Sequence, residues 1–368
     1  MGLTLIIIIA CAACLTLSYY GLLSRGFLRE KKNLISSFSQ EQYPHVSVII
    51  ASKNSGNQIY HLVQKILKQD YPIFEVMVID DFSTDNSVEK LGTTLRDDNL
   101  VLLKAKYDTP GKKTALSQAI ASSKYSVLLF TDADCMPTSD EWIKKMVQTL
   151  MTSVDKEVVL GYGPMIAQSN VISRFARYET FLTAFQYIGY ADLGLPYMGV
   201  GRNLMYKKSV FESAGGFSGH HHIASGDDDL FVQSIVTGSN VAVCTDPDTF
   251  MYSEGKNNIK DFLMQKGRHV STSLHYRPIL QLLLGIFSAA HLLFYSSLII
   301  VFLFYHQWII IALAIFLFKL AGQIFLSHKV MKRLVVADLL VWTPFLDFLL
   351  FGYYLLVSVF GLLRKNKW

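Results

Sequence analysis

Cysteine is scarce in this chain, four in 368 residues, and no two are spaced as a zinc-binding pair. Cys11 and Cys14 lie in the first apolar segment, and Cys135 and Cys244 in the central region. That usage suits small hydrophobes in a reducing compartment rather than a disulfide framework. Internal repeats and low-complexity tracts are also missing, which argues against a repeat-built transporter. Basic–aromatic patches of the RNA-binding kind are absent, so no nucleic acid partner is expected. The net charge of +5 is instead assigned to contact with anionic lipid headgroups.

What the chain has in excess is apolar sequence: 51% hydrophobic residues and a mean hydropathy of +0.31. The excess is localised. Leu3 to Leu23 is nearly uncharged and long enough to cross a bilayer. Arg25, Arg29, Lys31 and Lys32 follow it, which places the downstream chain on the cytoplasmic side; a membrane anchor is preferred to a cleaved signal peptide. Pro278 to Phe304 and Trp308 to Leu326 read as two further spans joined by Tyr305-His306-Gln307. Val335 to Leu362 carries Asp338, Pro344 and Asp347, and fits either one tilted span or an interfacial helix or bent hairpin.

Between these segments, apolar strand-like runs alternate with amphipathic stretches. Strands are expected at 46–50, 74–79, 100–103 and 127–130, with helices at about 58–68, 86–95 and 114–121. This order predicts a Rossmann-like parallel sheet. Two of the strands run into acid: Asp80-Asp81 and Asp132-Ala133-Asp134. Carboxylates at strand carboxyl ends stand where open α/β sheets bind ligands, and clustered there they call for a cation. The Asp-x-Asp pair suits division of labour between a nucleotide and a divalent metal, Mg²⁺ or Mn²⁺. Ser83 or Asp85 also serves as a cap for the next helix. Gly111-Lys112-Lys113 places a cation at a helix start for phosphate or base, although it is not a P-loop.

Further on, Gly226-Asp227-Asp228-Asp229-Leu230 is the candidate for acid–base work. The adjacent His220-His221-His222 cannot all face one ion in a regular element, so a surface or acceptor-contact role is preferred to a metal site. Aromatics from Ile172 to Tyr190 fall at helical spacing; a packed amphipathic helix is preferred to a lid. Asn257 to Tyr276 mixes basic and apolar residues and reads as an interfacial helix, where Arg268 contacts either a diphosphate or headgroups.

Taken in order, these stretches resemble a family-2 glycosyltransferase, the inverting, membrane-bound type with a GT-A fold. The matching pieces are Val46-Ser47-Val48-Ile49-Ile50, Val78-Ile79-Asp80-Asp81-Phe82-Ser83-Thr84-Asp85, Gly111-Lys112-Lys113-Thr114-Ala115-Leu116 and Thr131-Asp132-Ala133-Asp134. Gly199-Val200-Gly201-Arg202-Asn203-Leu204, Gly215-Gly216-Phe217, Ser225-Gly226-Asp227 and Gln265-Lys266-Gly267-Arg268-His269 follow.

The resemblance implies an α/β GT-A domain at 45–250, flanked by an anchor at 1–24, a basic linker at 25–44, an interfacial helix at 251–277 and a transmembrane region at 278–368. It implies Asp227 as catalytic base, chosen among three aspartates by Leu230 three residues on, and Asp134 as metal ligand. Donor contacts are implied for Ala51, Asn54, Asp80, Asp81, Lys112 and Asp132, joined by Gln265 and Arg268 of a Gln-x-x-Arg element. Asn203, Asp228 and His269 are implied on the acceptor side. His269 replaces the tryptophan of processive synthases, which weighs against polymer synthesis. The expected reaction is metal-dependent transfer from a nucleotide sugar, with a UDP-sugar expected, to a lipid-linked or glycan acceptor. The setting implied is a bacterial inner membrane with the catalytic domain in the cytoplasm. A processive synthase and an inactive sugar-nucleotide-binding scaffold are the competing readings.

Overall fold

The computed structural model describes residues 1–28, 43–221, 223, 225–255 and 258–363; at 268–271 and 357–363 only the backbone is described. Its chain divides into two compact units: Lys31–Ile166 with Tyr190–Glu254, and Met1–Glu30 with Ala167–Gly189 and Gly255–Trp368. The segment Ala167–Gly189 thus groups with the apolar helices, although the sequence places it inside a continuous 45–250 domain.

The first unit is built on β1 (Val46–Ser52), β2 (Phe74–Asp80), β3 (Leu100–Lys104), β4 (Val127–Asp132), β5 (Cys135–Pro137), β6 (Val158–Leu160), β7 (Leu204–Lys207), β8 (Val241–Val243) and β9 (Met251–Ser253). Seven of these form one sheet in the order β3-β2-β1-β4-β7-β6-β8, and β5 pairs with β9 separately. Strands β1 to β4 are parallel, as their buried β-branched runs predict. Beyond them, in the half for which the sequence gives no regular pattern, β7 runs antiparallel to β4 and β6.

That reversal builds the site. Ser52 pairs with Asp80 and Ala51 with Asp132, so the carboxyl ends of β2, β1 and β4 lie level. Because β7 is antiparallel, with Leu204 opposite Phe130, the turn Gly201–Asn203 that precedes it emerges at this same edge. Leu160 of β6 also faces Leu204, which brings Gly161 to Gly163 alongside. The core beneath packs Val48, Ile50, Val76, Val78 and Leu129 against Leu62, Val63, Trp142 and Met146, all at most 1% exposed. Burial on that scale is worth about 1.5–3 kcal/mol per large apolar side chain.

The second unit contains four helices long and apolar enough to cross a membrane: Gly2–Phe27, Pro278–Phe304, His306–Arg333 and Ala337–Leu356. The ambiguous last segment resolves into a 3-10 turn at Ala337–Trp342 followed by one helix, Thr343–Leu363. Phe302, Phe304, Ile310 and Phe325 point outward, each more than 60% exposed, as a lipid-facing surface requires. In the helix Val171–Asp192, Tyr178, Phe181, Phe185 and Tyr187 are buried, which is the packed-helix outcome.

A buried polar cluster in this unit was not expected from the sequence. Asp347, 2% exposed, accepts hydrogen bonds from Lys319 Nζ at 2.5 Å, Tyr295 Oη at 2.6 Å and Gln323 Nε2 at 2.8 Å. His291 Nε2 lies 3.0 Å from its carbonyl oxygen, and Gln323 Nε2 also reaches Tyr20 Oη at 3.0 Å. A charge pair away from water holds only when the surrounding lone pairs and protons are met, and here several helices supply the partners.

Candidate active site

At the carboxyl edge of the sheet, the helix Lys112–Ser122 starts at Gly111 and directs Lys112 toward the acids. Lys112 Nζ lies 2.8 Å from Asp132 Oδ1 and 2.9 Å from Asp227 Oδ2. Two acids far apart in sequence thus share one ammonium group. Burial opposes the charge on Lys112, but the carboxylates of Asp132, Asp227 and Asp228 outweigh it and hold its pKa well above the usual lysine range. The next residue, Lys113, is buried and donates to the carbonyl oxygens of His220 and Ile223 at 2.7 and 2.9 Å. It ties down the loop that carries Asp227.

Asp228 caps the helix Asp229–Ile235, accepting from its own neighbour's N–H at 2.8 Å and from the Gly201 N–H at 2.9 Å. Burial, and then the like charges of Asp227 and Asp229, push its carboxyl up to about 7, against the pull of Lys112 and the Gly201 N–H. Removing the Lys112 charge removes support for the ionised form. Lys112→Met is therefore expected to move this titration above 7, read as the Asp228 carboxyl carbon shift by NMR; an unmoved midpoint contradicts the contact. The same sign governs stability. The contribution of Asp228 is present below the ordinary carboxylate range and is lost as the pH rises through about 7.

Asp132, Asp134 and Cys135 place one ligand atom each within 4.8 Å of one another. Two carboxylates beside a thiol form a donor set that fits a divalent cation, with the oxygens suiting Mg²⁺ or Mn²⁺ and the sulfur favouring softer ions. Among the described residues the histidines form no such group.

The implied nucleotide contacts lie on two loops that hold each other. Asn54 Oδ1 accepts from the Thr84 N–H at 2.7 Å, and the Asn54 N–H donates to Ser83 Oγ at 3.0 Å. Asp80 accepts from the Ser83 N–H at 3.0 Å. Asp81, 6% exposed, accepts from Tyr107 Oη at 2.8 Å and the Gly111 N–H at 3.0 Å, linking this loop to the Lys112 helix. Asp85 accepts from the Ser87 and Gly56 N–H groups, in line with the capping role read from sequence. Ala51 is half-buried at the end of β1.

Asn203 is corrected. It is fully buried, its Oδ1 takes the Trp142 indole N–H at 3.0 Å, and its Nδ2 donates to the carbonyls of Tyr162 and Thr249 at 2.8 Å each. With its amide so engaged it joins three chain segments and offers an acceptor sugar nothing. Gln265 belongs to the second unit, on the helix Ile259–Ser273, and the side chains of Arg268 and His269 lie outside the described residues. His222 lies outside them too. Sequence reasoning missed Lys113 as the anchor of the acidic loop. It also gave no role to Arg202, although the Gly-Arg-Asn turn was visible.

A mixed sheet with parallel strands ending on acids, and a reversed strand returning the chain to that edge, is an arrangement of the GT-A fold class. Residues 47–215 match the family model described as glycosyl transferase family 2. The glycosyltransferase GlyG of Streptococcus pneumoniae is 32% identical over 120 residues, covering 32% of this chain and 38% of GlyG. WfaP of Escherichia coli, a UDP-Glc:α-D-GlcNAc-diphosphoundecaprenol β-1,3-glucosyltransferase, is 28% identical over 114 residues, 31% of this chain and 43% of WfaP. The matched stretch thus spans less than half the length of either relative. Among solved structures, the mannosyltransferase PcManGT of Pyrobaculum calidifontis, determined with GDP-Man and Mn²⁺, covers 100% of both chains at 19% identity and a TM-score of 0.64, a likeness of fold. Over residues 47–215 this chain is similar to the family-2 glycosyltransferases, and its fold is of the GT-A kind.

Proposed function

We propose that the protein transfers a sugar from a nucleoside diphosphate sugar to a hydroxyl of a lipid-linked or membrane-proximal acceptor, by a single inverting displacement. The observation that supports this reading is the Lys112 ammonium held between Asp132 and Asp227, the two carboxylates that the reading assigns to donor and acceptor.

In this reading Asp227 accepts the proton of the acceptor hydroxyl as its oxygen bonds to the anomeric carbon. The bond from that carbon to the diphosphate breaks on the opposite face, and the electron pair leaves with the nucleoside diphosphate. Lys112 holds the Asp227 carboxylate in place until the acceptor arrives, and Asp132 faces the donor. Asp134, with Asp132 and Cys135 beside it, would hold a divalent cation, which would neutralise charge on the diphosphate. Asn54, Asp80 and Asp81 are assigned to the nucleoside and take no part in the displacement. The acceptor meets Asp227 and Asp228, and the Arg25-flanked first helix supports a cytoplasmic catalytic domain.

The test is nucleoside diphosphate release by the purified full chain, with a panel of nucleotide sugars as donors and membrane lipid extract as acceptor. Release from at least one donor, abolished by EDTA and restored by Mn²⁺ or Mg²⁺, is expected. Release from none contradicts the reading, and release undiminished by EDTA removes the metal from it.

A further inference from the structure

Arg202 stands in the active-site turn, and neither the sequence pattern nor the reaction above uses it. Its surroundings are built. Gly163 lies flat against the side chain: a Cβ there would stand 2.2 Å from Arg202 Nε, so only glycine leaves room. Arg202 Nη1 donates to Ser253 Oγ at 3.2 Å, and Ser253 is the β9 partner of Cys135 in β5. The guanidinium is therefore fixed beside the strand that follows Asp134. On its other side, the preceding residue, Gly201, lies against Asp228 and Lys112, since a Cβ at Gly201 would lie 3.5 Å from Asp228 and 3.6 Å from Lys112 Nζ.

A guanidinium carries five N–H donors in a fixed fork. Among the described residues Arg202 forms one hydrogen bond and no ion pair, and its Nε is buried without a partner. An unmet buried donor is costly unless a ligand completes it. Here a rigid, half-buried cation stands next to an Asp-x-Asp pair without pairing with it, and the fork matches phosphate oxygens.

We propose that Arg202 is a phosphate-binding residue of this site, completed when a phosphate group of a substrate accepts from its Nε and Nη atoms. The assignment rests on the transferase reading above. It adds a cation from the first unit to Lys112, so that the two flank the Asp-x-Asp pair. Phosphate oxygens come to such a site from the donor diphosphate or from a phosphate-bearing lipid acceptor.

The experiment measures UDP and GDP affinity, each with Mn²⁺, by calorimetry on the full chain. It also measures the KM for undecaprenyl phosphate-type and phosphate-free lipid acceptors. Three variants are compared with wild type: Arg202→Met, Arg202→Lys, and Gly163→Ala, which displaces the guanidinium while keeping its charge. Thermal unfolding confirms that each is folded. If the donor supplies the phosphate, Arg202→Met and Gly163→Ala lose about 10- to 100-fold in nucleoside diphosphate affinity, Arg202→Lys loses less, and uridine or guanosine affinity is unmoved. If the acceptor supplies it, diphosphate affinity holds and KM rises only for the phosphate-bearing lipid. Folded variants that change neither quantity overturn the assignment. A wild type that binds neither nucleotide overturns the transferase reading itself, which distinguishes the two failures.

Discussion

Asp227→Asn is expected to bind donor nearly as well as wild type and to transfer sugar about 10²- to 10⁴-fold more slowly, the range that a positioned general base contributes. An amide keeps the shape and one oxygen for Lys112, but cannot take a proton from the acceptor hydroxyl. The comparison that gives the result meaning is Asp228→Asn. Asp228 accepts two backbone N–H bonds and caps a helix, so its substitution is expected to change the pH dependence near 7 and the stability more than the rate at the optimum. Stopped-assay kinetics with calorimetric donor binding separate the two. Full turnover by Asp227→Asn refutes its role as base; a larger rate loss in Asp228→Asn transfers that role one residue on.

The second large effect lies away from the chemistry. Lys319→Met strands the Asp347 carboxylate, 2% exposed, among apolar helices, and is expected to cost about 3–5 kcal/mol. The paired change Lys319→Met with Asp347→Leu removes both charges and is expected to recover most of that loss. Tyr295, Gln323 and His291 keep residual polarity there, so recovery short of wild type is consistent. Thermal unfolding in detergent reads both. A single variant as stable as wild type contradicts the buried pair; equal loss in single and double variants contradicts the charge as its cause.

The parallel half of the sheet was legible because its strands are continuous buried runs. Strand β1 extends two residues past the expected Ile50, and β2 one past Ile79. The other half was not. Strands β6, β7 and β8 are three or four residues long, too short for any periodicity, and their direction depends on contacts far away in sequence. The acids at 80–81, 132–134 and 227 were legible as strand and loop ends, and the meeting of Asp132 and Asp227 on Lys112 follows from β7 reversing beside β4. Asn203 misled for the opposite reason: polar residues in a site-like turn look alike until their partners are known, and Trp142, Tyr162 and Thr249 lie 41 to 61 residues away. Lys319 was hidden among apolar neighbours, since hydropathy averages over the one charge that matters.

Central here is the proposal that the acids at β2, β4 and the 226–230 loop surround one nucleotide-sugar site. Anomalous diffraction from crystals of the full chain grown with Mn²⁺ and a nucleoside diphosphate tests this most directly. The prediction is a Mn²⁺ peak at Asp134, the diphosphate against it, and Asp227 facing the space left for the sugar beyond the β-phosphate. A nucleotide bound elsewhere, or a Mn²⁺ site that leaves Asp134 and Asp227 on opposite sides of the protein from the diphosphate, contradicts it.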